Sequence, residues 1–209
     1  MRFSPVIQRV HQLAATGAIG TVRYVEASFG FPFRQDPESR MWNPELGGGT
    51  TLDQGIYPLT LPYMTFGIPS SITATGTFTD GVDSEASVLL TFPGGQQAQL
   101  ASSMTTFLPS SASICGSAGK ITIEPPFWDP TSFKLTLPDA TSETFLRTES
   151  IDFTKEGNGY VPMLRAVGQA IADGRTEHEL HPTAATISVL ETMEEILRQI
   201  KGITAQTNA

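Results

Sequence analysis

Between Ser71 and Phe153 the sequence reads as one strand after another: SITATGTF, SEASVLLTF, QQAQLASSM, SASICG, KITIE, SFKLTL and ETFLRTESIDF. Each stretch is rich in β-branched or aromatic residues. Pro93-Gly94-Gly95 separates the second from the third and Ser117-Ala118-Gly119 the fourth from the fifth, so both pairs read as hairpins. So much strand in succession implies one large, mostly antiparallel open β-sheet, and helical patterns before and after it make the fold class α+β, with helices gathered on one face.

The first helical pattern begins at Ser4-Pro5 and carries Val6, Ile7, Val10, Leu13 and Ala14 before Gly17. A strand, TVRYVEASFGF, follows from Thr21 to Phe31. Two helices are expected at the end, in GYVPMLRAVGQAIADG and PTAATISVLETMEEILRQIKG, the latter with Val189, Leu190, Met193, Ile196, Leu197 and Ile200 on one apolar face. Residues 202–209 read as a frayed tail. With 209 residues, 39% of them hydrophobic, and no repeat or linker, the expectation is a single domain over 1–209.

A formal charge of −8, with 13 Lys and Arg scattered along the chain, opposes a nucleic-acid partner. Cys115 is the only cysteine, which excludes an intrachain disulfide and fits a reducing compartment. No span of about 18 or more apolar residues predicts a membrane helix, and MRFSPVIQRVHQLAATG lacks the apolar core of a signal peptide. A soluble, unprocessed cytoplasmic protein is the expectation.

Chemistry concentrates in Gly47-Gly48-Gly49-Thr50-Thr51-Leu52-Asp53-Gln54-Gly55-Ile56-Tyr57-Pro58. If the residues after the glycines are helical, Asp53 and Tyr57 share a face, a carboxylate that can orient and a phenol that can give or take a proton. Thr50-x-x-Asp53 also fits a capping box, and Tyr57 equally fits a buried amphipathic side chain. Pro58 makes a regular helix costly here, so a late or kinked start is expected. Just upstream, Arg40 and Trp42 could clamp a polyol or sugar on a mobile loop; a surface arginine and a core-anchoring tryptophan are the alternatives.

Other candidates are weaker. His178-x-x-His181 lacks a third ligand at recognisable spacing, so no metal is expected, and His11 stands alone. Cys115 reads as an inert thiol in an apolar strand. Gly116-Ser117-Ala118-Gly119-Lys120 fails the spacing of a phosphate loop, and no G-x-G-x-x-G occurs.

Several motifs in order resemble the C-terminal domain of the glucose-fructose oxidoreductase / inositol dehydrogenase (Gfo/Idh/MocA) family, especially its dihydrodiol and sugar dehydrogenase branch. They are Arg2-Phe3-x-Pro5, Gly17-x-Ile19-Gly20, GGGTTLDQGIYPL, Ile114-x-Gly116-Ser117-x-Gly119, and the closing helix with Met193 and Gly202. The resemblance implies a substrate-binding and oligomerisation domain that forms a homodimer or higher oligomer through its sheet. It implies hydride exchange between NAD or NADP and a sugar, inositol or cyclic diol, with Tyr57 as proton-transfer residue and Asp53 positioning the substrate. The family's N-terminal Rossmann domain, which would bind the cofactor and supply the lysine of a Glu-Lys-Pro motif, has no counterpart here: none of Lys120, Lys134, Lys155 and Lys201 stands between Glu and Pro. The expectation is therefore the C-terminal portion of a longer enzyme, inactive alone. A subunit completed by a separate Rossmann chain, or a binding and assembly module without chemistry, are the alternatives.

Overall fold

A computed structural model describes residues 1–139 and 142–207, with side chains except those of 142–145 and 204–207. Helix α1 (Pro5–Ala15) precedes strand β1 (Val22–Gly30). Two 3-10 turns (Arg40–Trp42 and Pro44–Leu46) and a π-helical turn (Thr51–Gly55) lead into α2 (Ile56–Phe66). Seven strands follow: β2 (Ser71–Thr79), β3 (Val82–Thr91), β4 (Gln97–Ser103), β5 (Ala112–Gly116), β6 (Gly119–Ile123), β7 (Ser132–Asp139) and β8 (Ser142–Asp152). Helices α3 (Val161–Ala172) and α4 (Thr183–Thr207) close the chain.

The strands form one sheet in the order β2-β3-β4-β1-β5-β6-β7-β8. Only β1 and β4 run parallel; the other neighbouring pairs are antiparallel. The first strand is thus the centre, and two meanders build outward from its edges, one reached by the crossover through α2. A line of cross-strand partners, Ile72, Leu90, Ala98, Val25, Ile114, Ile121 and Leu135, runs across seven strands on the helix-covered face. Period-two alternation sends Glu26, Ser87, Leu89 and Gln99 to the opposite, uncovered face.

Helix α2 lies on β1 and β4, α4 lies on β2 and β3, and α1 packs against α2 and β7. Val6, Ile7, Val10 and Ala14 are the buried stripe of α1, with Pro5 in its first turn, as the 3.6-residue period requires. Phe92, Phe127 and Phe133 are fully buried around this core. Each such side chain contributes about 1.5–3 kcal/mol by leaving water. Val189, Met193, Ile196 and Ile200 turn α4 onto the sheet, whereas Leu190 is 49% exposed. The expected fraying at 202 is corrected: α4 continues through Gly202 to Thr207, anchored by buried Ile200, while 208 and 209 lie outside the described residues. One glycine costs about 1 kcal/mol in a helix, less than that anchoring contributes.

Candidate active site

The glycine-rich segment is a tight fold. A β-carbon on Gly48 would lie 2.7–2.8 Å from the carbonyl oxygens of Arg40, Met41 and Asn43, so only glycine lets this loop close on itself. Gly49 has φ +112°, and a β-carbon there would lie 1.9 Å from Asp83 Oδ1. The space belongs to the Asp83 carboxylate, whose Oδ2 accepts the Thr51 amide hydrogen at 2.7 Å. The irregular start expected from Pro58 is a π-helical turn directly ahead of α2, which then carries both Pro58 and Pro62.

The capping box does not form. The Thr50 hydroxyl donates to Gln54 Oε1 at 2.7 Å, and Asp53 turns outward to accept a hydrogen bond from Arg40 Nη2. Arg40 is therefore at the site, held against the carboxylate. Trp42 is not: it is 4% exposed and packs with Met41, Val82 and Met104, with Phe33 beside them. At that burial Trp42 fits the core-anchor alternative rather than a ligand clamp, its edge only bordering a shallow cavity beside Gln35, Pro37 and Asp80.

Tyr57 is half-buried beside an aromatic group that the sequence reading missed. Phe29 stacks on Trp128 with ring centroids 3.8 Å apart and planes 11° apart, and meets the Tyr57 ring edge-on at 5.6 Å. Phe31 and Phe33 extend the group along the chain. The FGFPF alternation was the available signal for Phe29, Phe31 and Phe33; Trp128, brought in by the loop after β6, had none. Among the described residues the Tyr57 hydroxyl makes no hydrogen bond. Burial pushes the phenol above its usual value, and Tyr160 and Asp53 push it the same way. Tyr160, at the start of α3, was likewise not foreseen.

On its other side Tyr57 borders a cavity of about 310 Å³ lined by Arg2, Ile56, Thr60, Met163, His181 and Leu190, among others. Apolar walls with a few polar groups and this volume suit a small ring or polyol. His181 forms a bridge with His178, against whose ring Phe3 packs edge-on at 5.0 Å. Burial, then Arg2 and the terminal amine, lower the His181 pKa. Cys115 is half-buried on β5, and burial raises its thiol pKa. Among the described residues no three His, Cys, Asp or Glu side chains converge as a metal site would require, and no helix is long and apolar enough to cross a membrane.

A sequence model of the GFO/IDH/MocA C-terminal domain matches residues 7–122. The chain belongs to the Gfo/Idh/MocA family. Within it, a trans-1,2-dihydrobenzene-1,2-diol dehydrogenase from Xenopus tropicalis is 34% identical over 206 residues, covering 97% of this chain and 61% of the relative. A D-xylose 1-dehydrogenase (NADP(+)) from Hypocrea jecorina is 28% identical, covering 95% of this chain and 57% of that one. The crystal structure of an aldose-aldose oxidoreductase from Caulobacter crescentus, complexed with glycerol, superposes with a TM-score of 0.81 at 22% identity. That match covers 96% of this chain and 60% of the other, and shows the shared fold. The Gfo/Idh/MocA chain described here thus spans about three fifths of the length of the curated relatives it matches.

Proposed function

We propose that this chain is the substrate-binding part of an NAD(P)-dependent oxidoreductase that exchanges hydride with a sugar, inositol or cyclic diol, with Tyr57 as its proton-transfer residue. The observation that carries the reading is the Tyr57 hydroxyl, without a hydrogen-bond partner among the described residues, between an aromatic group and a cavity of ring size. The relatives named for a diol and a pentose dehydrogenase support the substrate class.

Burial, Tyr160 and Asp53 all favour the neutral phenol, so at neutral pH Tyr57 is a proton donor. It would protonate the oxygen of a carbonyl as that carbon is reduced. The reverse direction needs a cation near the phenol to make it a base, a role the family resemblance gives to the Glu-Lys-Pro lysine of the Rossmann half. Asp53, oriented by Arg40, accepts hydrogen bonds from substrate hydroxyls and so fixes which carbon faces the reaction.

The cavity beside Tyr57 is left to the substrate; among the described residues no glycine-rich strand-turn-helix fits the pyrophosphate of a nicotinamide dinucleotide. When bound, that group would accept or supply the hydride. Most of the cofactor's binding then falls to an N-terminal domain, in the same longer polypeptide or a separate chain. The uncovered sheet face, with Ser87, Leu89 and Gln99 around a shallow groove, is the surface for self-association into a dimer or higher oligomer; a monomeric mass in light scattering would oppose that part. The central test is Tyr57→Phe in the enzyme completed by its cofactor domain. Turnover should fall steeply while KM changes little, and unchanged turnover would overturn the assignment.

A further inference from the structure

Asp83 stands at the start of β3, 2% exposed, beneath the π-helical turn. A helix start leaves its first amides without partners, and a side chain at the preceding position ordinarily answers one of them. Here Thr50 makes no such bond and Asp53 is turned away to Arg40. The Thr51 amide is answered instead from the sheet, by Asp83. Gly49, at φ +112°, brings its backbone against the same carboxylate. Thr50, Thr51 and Gln54 are buried around this anchor. Below it, α2 is held independently by buried Leu59 and Leu61.

We propose that Asp83 is a positioning residue for the site: by pinning the π-helical turn to β3 it sets the height and rotation at which Asp53 and Tyr57 are presented. Its catalytic meaning rests on the role proposed for Tyr57; its geometry does not. Because α2 has its own anchors, release of Thr51 concentrates movement in residues 51–57, the stretch that carries both functional side chains. A displacement of about one ångström at a reacting group can cost about 100-fold in rate.

The test uses the 209-residue chain labelled with 3-fluorotyrosine, in which the resonance lost in Tyr57→Phe identifies Tyr57 among the four tyrosines. Asp83→Asn keeps an acceptor in place. The Thr51 amide proton should move upfield as a charge-assisted bond becomes a neutral one, while the Tyr57 fluorine stays within its linewidth. Asp83→Ala removes the acceptor and should move the Tyr57 fluorine beyond its linewidth; Ile121→Ala, a cavity in the core of β6, should lower stability without that movement. An Asp83→Ala shift no larger than that of Ile121→Ala overturns the proposal. So does a Thr51 amide unmoved in Asp83→Asn, an arm that stands even if the alanine variant does not fold. In the completed enzyme, Asp83→Ala should lower kcat about 100-fold with KM little changed, and Asp83→Asn should restore most of it. If Tyr57→Phe leaves turnover intact, the role of Tyr57 falls while the fluorine result still decides the placement by Asp83.

Discussion

Replacing Gly49 with alanine adds one methyl group at a backbone angle that L side chains rarely adopt and against the Asp83 carboxylate, and its cost has two sources. At φ +112° an L side chain is held in a sparsely populated conformation, worth about 1–3 kcal/mol. The methyl would also lie 1.9 Å from Asp83 Oδ1, so the carboxylate must leave and the Thr51 amide loses its partner. A hydrogen bond to a charged group contributes about 1.5–3 kcal/mol, which brings the total to roughly 2.5–6 kcal/mol. The neighbouring glycines calibrate this figure. Gly47 is left-handed at φ +69° with nothing within 4 Å of an added β-carbon, so Gly47→Ala should cost only about 1 kcal/mol. Gly48 has no positive-φ strain but meets three carbonyl oxygens, so overpacking of about 1–3 kcal/mol is expected. Urea unfolding followed by circular dichroism should rank the midpoints Gly47→Ala, Gly48→Ala, Gly49→Ala from highest to lowest, with a common slope. The Gly49→Ala and Asp83→Ala double variant should be less than additive, because one contact is lost only once. A Gly49→Ala cost within about 1 kcal/mol of Gly47→Ala would refute the reasoning, since it would mean that the carboxylate does not occupy that space.

Tyr63 donates its hydroxyl to Ser188 O at 2.9 Å and so ties α2 to α4; Tyr63→Phe should lower unfolding stability by about 1–2 kcal/mol with the core volume unchanged. Burial raises the Asp83 pKa above 3.8, against hydrogen bonding from Thr51, its own amide and the charge of Lys201 on α4. A raised folded value means that this contribution to stability is full below 3.8 and is lost as pH rises through the folded value. The wild type should therefore lose stability relative to Asp83→Asn between acid and neutral pH, and a parallel pair of pH curves would contradict this. Asp53→Asn breaks a largely exposed ion pair with Arg40 and should change stability by less than about 1 kcal/mol, while turnover of the completed enzyme falls.

Period and turn chemistry made the sheet legible. The alternation in β3, β4 and β1 fixes which residues face the helices, and Pro93-Gly94-Gly95 marks its hairpin whatever lies beyond it. The parallel pairing of β1 with β4 was not legible, because a strand carries no mark of which later strand will close on its edge. Within the site, the spacing of Asp53 and Tyr57 showed a shared stretch of helix but not what each would meet. Asp53 fits a capping box by spacing, yet its partner is an arginine from an earlier turn. Trp42 could have gone either way, and burial of its ring depends on Val82 and Met104, both distant in sequence. Asp83 had no local signal at all: an aspartate at a strand start gains its role from a glycine 34 residues earlier in the chain, Gly49.

The electrostatics at Tyr57 explain why an arginine belongs beside Asp53. A bare carboxylate near the phenol would hold its proton more tightly, and burial and Tyr160 already act in that direction. The guanidinium of Arg40, paired to that carboxylate through Oδ1, offsets part of its field. Removing the arginine would therefore do two things at once: release the carboxylate from its fixed orientation and strengthen its hold on the phenolic proton. Removing the aspartate would do the reverse, leaving an unpaired cation near Tyr57 and easing ionisation of the phenol. Arg40→Gln and Asp53→Asn should thus shift the Tyr57 phenol in opposite directions, upward and downward, even though both abolish the same ion pair. A spectrophotometric titration in which the two variants move it the same way would show that the pair acts by geometry alone.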